Sequence, residues 1–171
     1  SADRTTPARA IKEGHAVDGT AFTYAVGKLV LFSRTKDLAS EAALRQARFA
    51  KIAIANPQVA PYGAAAIETM KALGVHEALA GKIVQGGNIA QAFQFIETRN
   101  AEVGFIALSQ VINVADGSRW IVPDKLYSPI AQDAVLLQAG ASNEAATAFL
   151  AFLKGPEARG VIQKFGYGLA D

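Results

Sequence analysis

The chain has no cysteine, so thiol catalysis, thiolate metal sites and disulfides are all excluded. It has two histidines, His15 and His76, which read as surface residues with no carboxylate or thiol at ligand spacing. Apolar runs of about 18 residues, the length of a membrane-spanning helix, are also missing. The longest run, Val103–Leu108, is strand-sized. Basic residues are scattered without a run or stripe, and only Phe93 and Phe95 lie close together among them, which argues against nucleic acid as a partner. No serine sits in a nucleophile elbow, and neither a dinucleotide fingerprint nor a phosphate-loop lysine occurs. Glu97, Glu102, Asp116 and Asp124 read as solvated acids on helix surfaces and loops. Ser1-Ala2-Asp3-Arg4 opens the chain with polar residues rather than a signal peptide. These absences leave no catalytic constellation.

What remains is apolar and well patterned. Hydrophobic residues make up 51% of the chain and charged residues 19%, with a net charge of +2, enough for a sizeable core in one domain or two small lobes. Strands are expected at Leu29–Phe32, Lys51–Ala55, Lys82–Gln85, Val103–Leu108, Arg119–Val122 and Ala134–Gln138. Helices are expected at Glu41–Ala47, Tyr62–Leu73, Ile89–Arg99, Ser109–Ala115, Glu144–Leu153 and Pro156–Phe165. Ile67, Met70 and Leu73 form the apolar stripe of one helix, and Ile89, Phe93 and Ile96 that of another. Ser142 is a candidate N-cap, and Trp120 reads as core or lobe interface. Short, nearly all-apolar strands alternating with helices predict a largely parallel α/β sheet covered on both faces.

The segment Ile52–Gly63 carries the clearest chemical signal. An apolar strand ends at Ala55, Asn56-Pro57 begins a turn, and Pro61-Tyr62-Gly63 opens a helix. A second unit repeats the plan, with Ile83–Gln85, then Gly86-Gly87-Asn88, then Ile89. Helix starts aim free N–H groups and a positive dipole end toward such loops. Two of them at one sheet edge would offer donors and no acceptors, which suits a fully deprotonated tetrahedral dianion. Each residue also has a plainer reading. Gly86-Gly87 can be a tight turn without a ligand, Tyr62 a ring that seals the helix start, and Asn88 an N-cap.

These residues resemble the periplasmic molybdate/tungstate-binding proteins, the soluble receptors of ABC-type oxyanion importers. The matching pieces are Ser1-Ala2-Asp3, Phe22–Leu31, Ile52–Gly63, Gly104–Leu108 and Lys154-Gly155-Pro156 with Gly166-Tyr167. The resemblance implies a type II periplasmic-binding-protein-like α/β fold of two lobes joined by a hinge. Lobe 2 would span residues 29–130, and residues 1–28 with 131–171 would form an incomplete lobe 1. It implies ligand contacts from the backbone N–H groups of Tyr62 and Ile89, supported by Pro61, Gly63, Gly87 and Asn88. It implies no cofactor and no direct metal coordination, because molybdate or tungstate binds as the oxyanion. The implied setting is the periplasm, with lobe closure signalling the bound state to an ABC-transporter membrane permease and no membrane insertion.

The chain departs from that pattern in two ways. Ala107 stands where some members place a tyrosine hydroxyl, and nothing replaces the upstream hydroxyl-rich loops of lobe 1. The chain therefore reads as an N-terminally shortened form with impaired binding. Exposed apolar surface and strand edges in lobe 1 would lead either to self-association or to partial disorder. The alternative readings are a receptor or sensory domain of the same fold for another anion such as sulfate, a transferase-like enzyme on that fold, and a structural role.

Overall fold

The computed structural model describes residues 1–170. In chain order the elements are α1 (Thr5–Lys12), β1 (Phe22–Gly27), β2 (Leu29–Ser33), α2 (Glu41–Gln46), β3 (Ile52–Ala55), α3 (Pro61–Ala72), α4 (His76–Leu79) and β4 (Ile83–Gly86). Then follow α5 (Ile89–Glu97), β5 (Val103–Ala107), α6 (Leu108–Val111), β6 (Ser118–Ile121), β7 (Ile130–Ala134), α7 (Glu144–Lys154) and α8 (Pro156–Lys164). They divide into two compact units. One is Lys28–Pro129, and the other joins Ser1–Gly27 to the segment from Ile130 onward.

The middle unit is built on a five-stranded sheet in the order β4-β3-β5-β2-β6. Every residue of β2, β3 and β5 is buried, as expected for central strands with both faces covered, while β4 and β6 at the edges are half-exposed. On one face Val30, Phe32, Ala53 and Ile106 pack with Ala92 and Ile96 of α5. The alternate residues of the same strands, including Leu31, Ile54 and Phe105, turn to the opposite face, where α3 packs. Close approach requires glycine at Gly104, where a Cβ would come within 2.8 Å of the Ala53 carbonyl oxygen.

The sheet is less parallel than the sequence predicts. β3 pairs in parallel with β4 and β5, whereas β2 runs antiparallel between β5 and β6. Trp120, opposite Leu31 on β6, is half-buried at this edge rather than in the core. The buried face of α3 also differs. It is formed by Tyr62, Gly63, Ala65, Ala66, Thr69 and Met70, and Ile67 is only partly covered. Small residues let this helix sit close to the sheet, and the Thr69 hydroxyl is satisfied by the Ala65 carbonyl at 2.8 Å.

Three of the acids expected to be merely solvated are structural ties. Glu102 accepts from the N–H groups of Ala50 and Lys51 at 3.1 and 2.9 Å. Partial burial opposes its ionisation, but these N–H groups hold its carboxyl below the usual range. Arg34 grips Glu97 with two hydrogen bonds of 2.8 and 2.6 Å, and Lys28 meets Asp124 at 2.5 Å.

Beside that last pair the Tyr127 hydroxyl accepts from the Leu29 N–H and donates to Asp124, both at 3.2 Å. Burial, together with the Asp124 charge and against the pull of the Leu29 N–H, pushes the phenol up to about 12 from 10.0. The folded state thus holds its proton longer than the unfolded chain. This stabilisation is complete below pH 10.0 and is lost as pH rises toward about 12. A Tyr127→Phe variant should be less stable at neutral pH by about 1–3 kcal/mol, because a buried N–H loses its acceptor. Thermal melts of the two proteins should converge above pH 10.0. A constant gap would contradict this assignment.

The other unit holds a two-stranded antiparallel ribbon of β1 and β7, with a bulge between Thr23 and Ala25. The strand expected at Ala134–Gln138 lies four residues earlier, at Ile130–Ala134. Gln132 and Asp133 enter it despite their polarity. Asp133 is buried but accepts from the Thr23 hydroxyl at 2.6 Å, and its carbonyl accepts from the Ser1 ammonium at 2.7 Å. The apolar residues that suggested the later strand continue as a looser bridge of Leu137 to Ala16. β1 and α1 were not expected from the pattern. The cap of α7 is Asn143, not Ser142, accepting from Ala145 and Ala146 at 2.9 and 3.3 Å. The expected apolar exposure is present, with Phe149, Phe152, Val161 and Phe165 each 45–58% exposed.

Candidate functional site

Strands β3 and β4 are in register, Ile52 opposite Ile83 and Ala55 opposite Gly86. The Asn56 N–H then donates to the Gly86 carbonyl at 2.7 Å, so the two chains stay together one step beyond the strands. Both leave the sheet at its carboxyl edge, through residues 56–60 into α3 and through residues 87–88 into α5. The candidate residues Tyr62 and Ile89 therefore follow neighbouring strands into neighbouring helix starts.

The first loop closes on itself. The Asn56 side chain accepts from the Gln58 N–H at 2.9 Å, and its carbonyl accepts from Val59 and Ala60 at 3.3 and 2.9 Å. Pro61 takes the first helical position, where its missing N–H costs nothing, and Tyr62 follows with a buried ring. Gly63 packs against the strand end, where a Cβ would overlap the Ala55 carbonyl oxygen and lie 2.9 Å from the carbonyl carbon of Asn56.

The second start is capped from both sides. Asn88 is the N-cap and accepts from the Gln91 N–H at 2.9 Å, while the Gln91 side chain accepts from the Gly87 N–H at 2.6 Å. Gly87 thus braces the turn with its N–H committed to Gln91, and Ile89 opens the helix. Gly86 allows the tight fit, since a Cβ there would come within 2.8 Å of the Ala92 nitrogen. A residue missed in the sequence reading holds this corner. Gln110 accepts from the Ala107 N–H at 3.0 Å and donates to the Ile89 carbonyl at 3.2 Å, tying the end of β5 to the start of α5. Its position three residues beyond a strand end, where helix-start glutamines reach back to backbone, was the only signal for it. Ala107 is buried at that strand end.

The first turns of α3 and α5, like those of α1 and α6, hold no acid. Helices α2, α7 and α8 each carry a glutamate there. The positive ends of α3 and α5 are left uncompensated. The histidines are not as isolated as expected, since His15 lies 3.8 Å from Glu13 and His76 3.3 Å from Glu77. Among the described residues no group of three or more His, Asp or Glu could hold a metal ion, and no helix is long and apolar enough to cross a membrane.

A mixed sheet with one reversed strand, and helix starts gathered at its carboxyl edge, is the lobe architecture of a type II periplasmic solute receptor. The chain belongs to the bacterial extracellular solute-binding proteins, whose family model matches residues 1–168. It is 54% identical over 168 residues to a molybdate-binding protein of Rhodobacter capsulatus, covering 98% of this chain and 67% of that protein. It is 51% identical over 174 residues to a molybdate-binding protein of Azotobacter vinelandii, covering 99% of this chain and 69% of that protein. The solved structure of a periplasmic molybdate-binding protein of Azotobacter vinelandii fits with a TM-score of 0.93 at 37% identity, covering 100% of this chain and 77% of that one.

Proposed function

We propose that this chain is a periplasmic receptor component for molybdate or tungstate, taking the oxyanion on backbone N–H groups at Tyr62 and Ile89 for delivery to an ABC-transporter permease. The observation that carries the reading is the pairing of Ala55 with Gly86, which brings two uncompensated helix starts to one edge. Donors fixed in the backbone, with no acceptor among them, favour a dianion without O–H groups over one that retains a proton. Pro61, Gly63, Gly87 and Asn88 serve by holding the two starts in place. Because the named donors lie in one unit, this chain binds its anion weakly.

Amide NMR with molybdate, tungstate, sulfate and phosphate as separate arms tests the reading. The Tyr62 and Ile89 signals should move with molybdate and tungstate, and less with phosphate, which retains a proton at neutral pH. A response to sulfate without one to molybdate would transfer the site to the sulfate alternative. Silence at both amides, or tight binding by calorimetry, would overturn the donor account.

A single substitution removes one donor. Asn88 is extended at φ −153° and ψ 177°, which tolerates a following proline, and the first helical position accepts proline readily. Ile89→Pro should therefore fold and weaken anion binding about tenfold or more, since a hydrogen bond to a charged group contributes about 1.5–3 kcal/mol. Ile89→Ala, which keeps the N–H, should bind like the parent. Equal binding by both variants would remove Ile89 from the site.

A further inference from the structure

Beyond the first two residues of β3 the sheet opens. β3 pairs with β5 at Ile52–Val103 and Ala53–Gly104, and the pairing stops there, while β3 stays with β4 up to Ala55 and β5 stays with β2 up to Ala107. The carboxyl edge, where both helix starts lie, is thus split between β3 and β5. Gln110 reaches from the β5 side to the helix that leaves β4, accepting from the Ala107 N–H at 3.0 Å and donating to the Ile89 carbonyl at 3.2 Å. We propose that Gln110 is the positioning residue that fixes the spacing of the two anion donors, and so sets a preference for molybdate or tungstate over the smaller sulfate. This inference rests on the anion site proposed above.

The bonds from Gln91 to Asn88 and from Gly87 to Gln91, at 2.9 and 2.6 Å, shape the start of α5 but stay within residues 87–91. Gln110 brings in a second strand. Its own place is firm, because Leu108 and Val111 on either side are buried and the Leu108 N–H donates to the Lys28 carbonyl at 2.9 Å. Ile89 packs against the same apolar cluster as Leu108 and Val111. The residue type matters as well. A backbone N–H only donates and a carbonyl only accepts, so the bridge needs one group that accepts at one end and donates at the other. A carboxamide does both, whereas a carboxylate could serve Ala107 but not Ile89. The carbonyl and the N–H of Ile89 flank one Cα, so with helical angles between them, holding the first directs the second. Tyr62, the opposite donor, follows β3, so the two donors are braced from the two sides of the split. Molybdate and sulfate carry the same charge and no O–H, which leaves size to distinguish them. A pre-organised pair of donors suits one size, and without Gln110 the start of α5 can follow a smaller ion.

Gln110→Met keeps the length of the side chain and loses both bonds, and Gln94→Met makes the same change at an exposed position of α5. Amide NMR titrations with molybdate and with sulfate should give Gln110→Met a molybdate-to-sulfate affinity ratio about three- to tenfold below that of the parent, the factor expected from one lost hydrogen bond. Gln94→Met should keep the parent ratio. General loosening of the fold would weaken both dianions alike, so the ratio separates positioning from support of the fold. Without any anion, the amide signals of residues 89–91 should broaden in Gln110→Met and stay sharp in Gln94→Met. An unchanged ratio or sharp signals in Gln110→Met, with the parent binding molybdate, would overturn the role of Gln110 and leave the receptor reading standing. Silence of the parent at Tyr62 and Ile89, or a preference for sulfate, would overturn the receptor reading and this inference with it.

Discussion

Replacing Gly63 with alanine should lower the stability of the middle unit by about 3 kcal/mol, at the upper end of the usual cost of overpacking. Gly63 has ordinary helical backbone angles, so the effect comes from space alone. The added methyl would run into the Ala55 carbonyl oxygen and crowd the Asn56 carbonyl carbon. Both are backbone atoms at the end of β3, and neither can rotate away as a side chain would. The helix must lift from the strand, and Tyr62 beside it moves too. The single tryptophan, Trp120, lies in this unit, so its fluorescence during urea denaturation reports the middle unit specifically. Gly81→Ala is the control, because a Cβ there meets nothing within 4 Å. Equal midpoints for the two variants would contradict the packing argument. The same variant should also lose anion binding before it unfolds, since the donor at Tyr62 is displaced.

Phe32→Ala should cost about 3–5 kcal/mol, the usual range for deleting a fully buried phenylalanine side chain. Phe32 is 0% exposed on a strand whose every residue is buried. Its ring lies 6.1 Å from that of Phe93 on α5, and the Arg34 guanidinium sits 5.6 Å from its centroid. The cavity opens between the sheet and α5, the helix that starts at Ile89. The cost should therefore appear both in the Trp120-detected midpoint and as broadened amide signals at the start of α5. A loss under about 1 kcal/mol would mean that the unit collapses around the gap far more readily than close-packed cores do.

The parts of the fold that are legible in the sequence are those whose burial shows in local composition. β2, β3 and β5 are unbroken apolar runs because both faces are covered. α5 shows its stripe because polar residues lie opposite. The reversal of β2 is not legible, since an apolar strand buried on both faces looks the same in either direction. β7 was misplaced because the burial of Asp133 depends on Thr23 and Ser1, which are far away in sequence. β1 alternates only loosely around a bulge, which blurs the period of two. At the candidate site the two loops and the Asn88 cap were readable, because turn and cap residues act within a few positions. Gln110 was not, because its bond to Ile89 spans two elements.

The entry and exit of the middle unit lie side by side. The Leu29 carbonyl accepts from the Val122 N–H at 3.1 Å, its N–H reaches the Tyr127 hydroxyl, and Lys28 meets Asp124. This bears on the order in which the chain folds. The middle unit is continuous in sequence and can form as soon as Pro129 has been synthesised. Once formed, it delivers Gly27 and Ile130, the first pair of the β1–β7 ribbon, from the same small region of space. The loop-closure entropy that would otherwise oppose pairing across so long a stretch has then already been spent. In kinetic terms the middle unit behaves as the turn of an oversized hairpin, and the ribbon can zip outward from it.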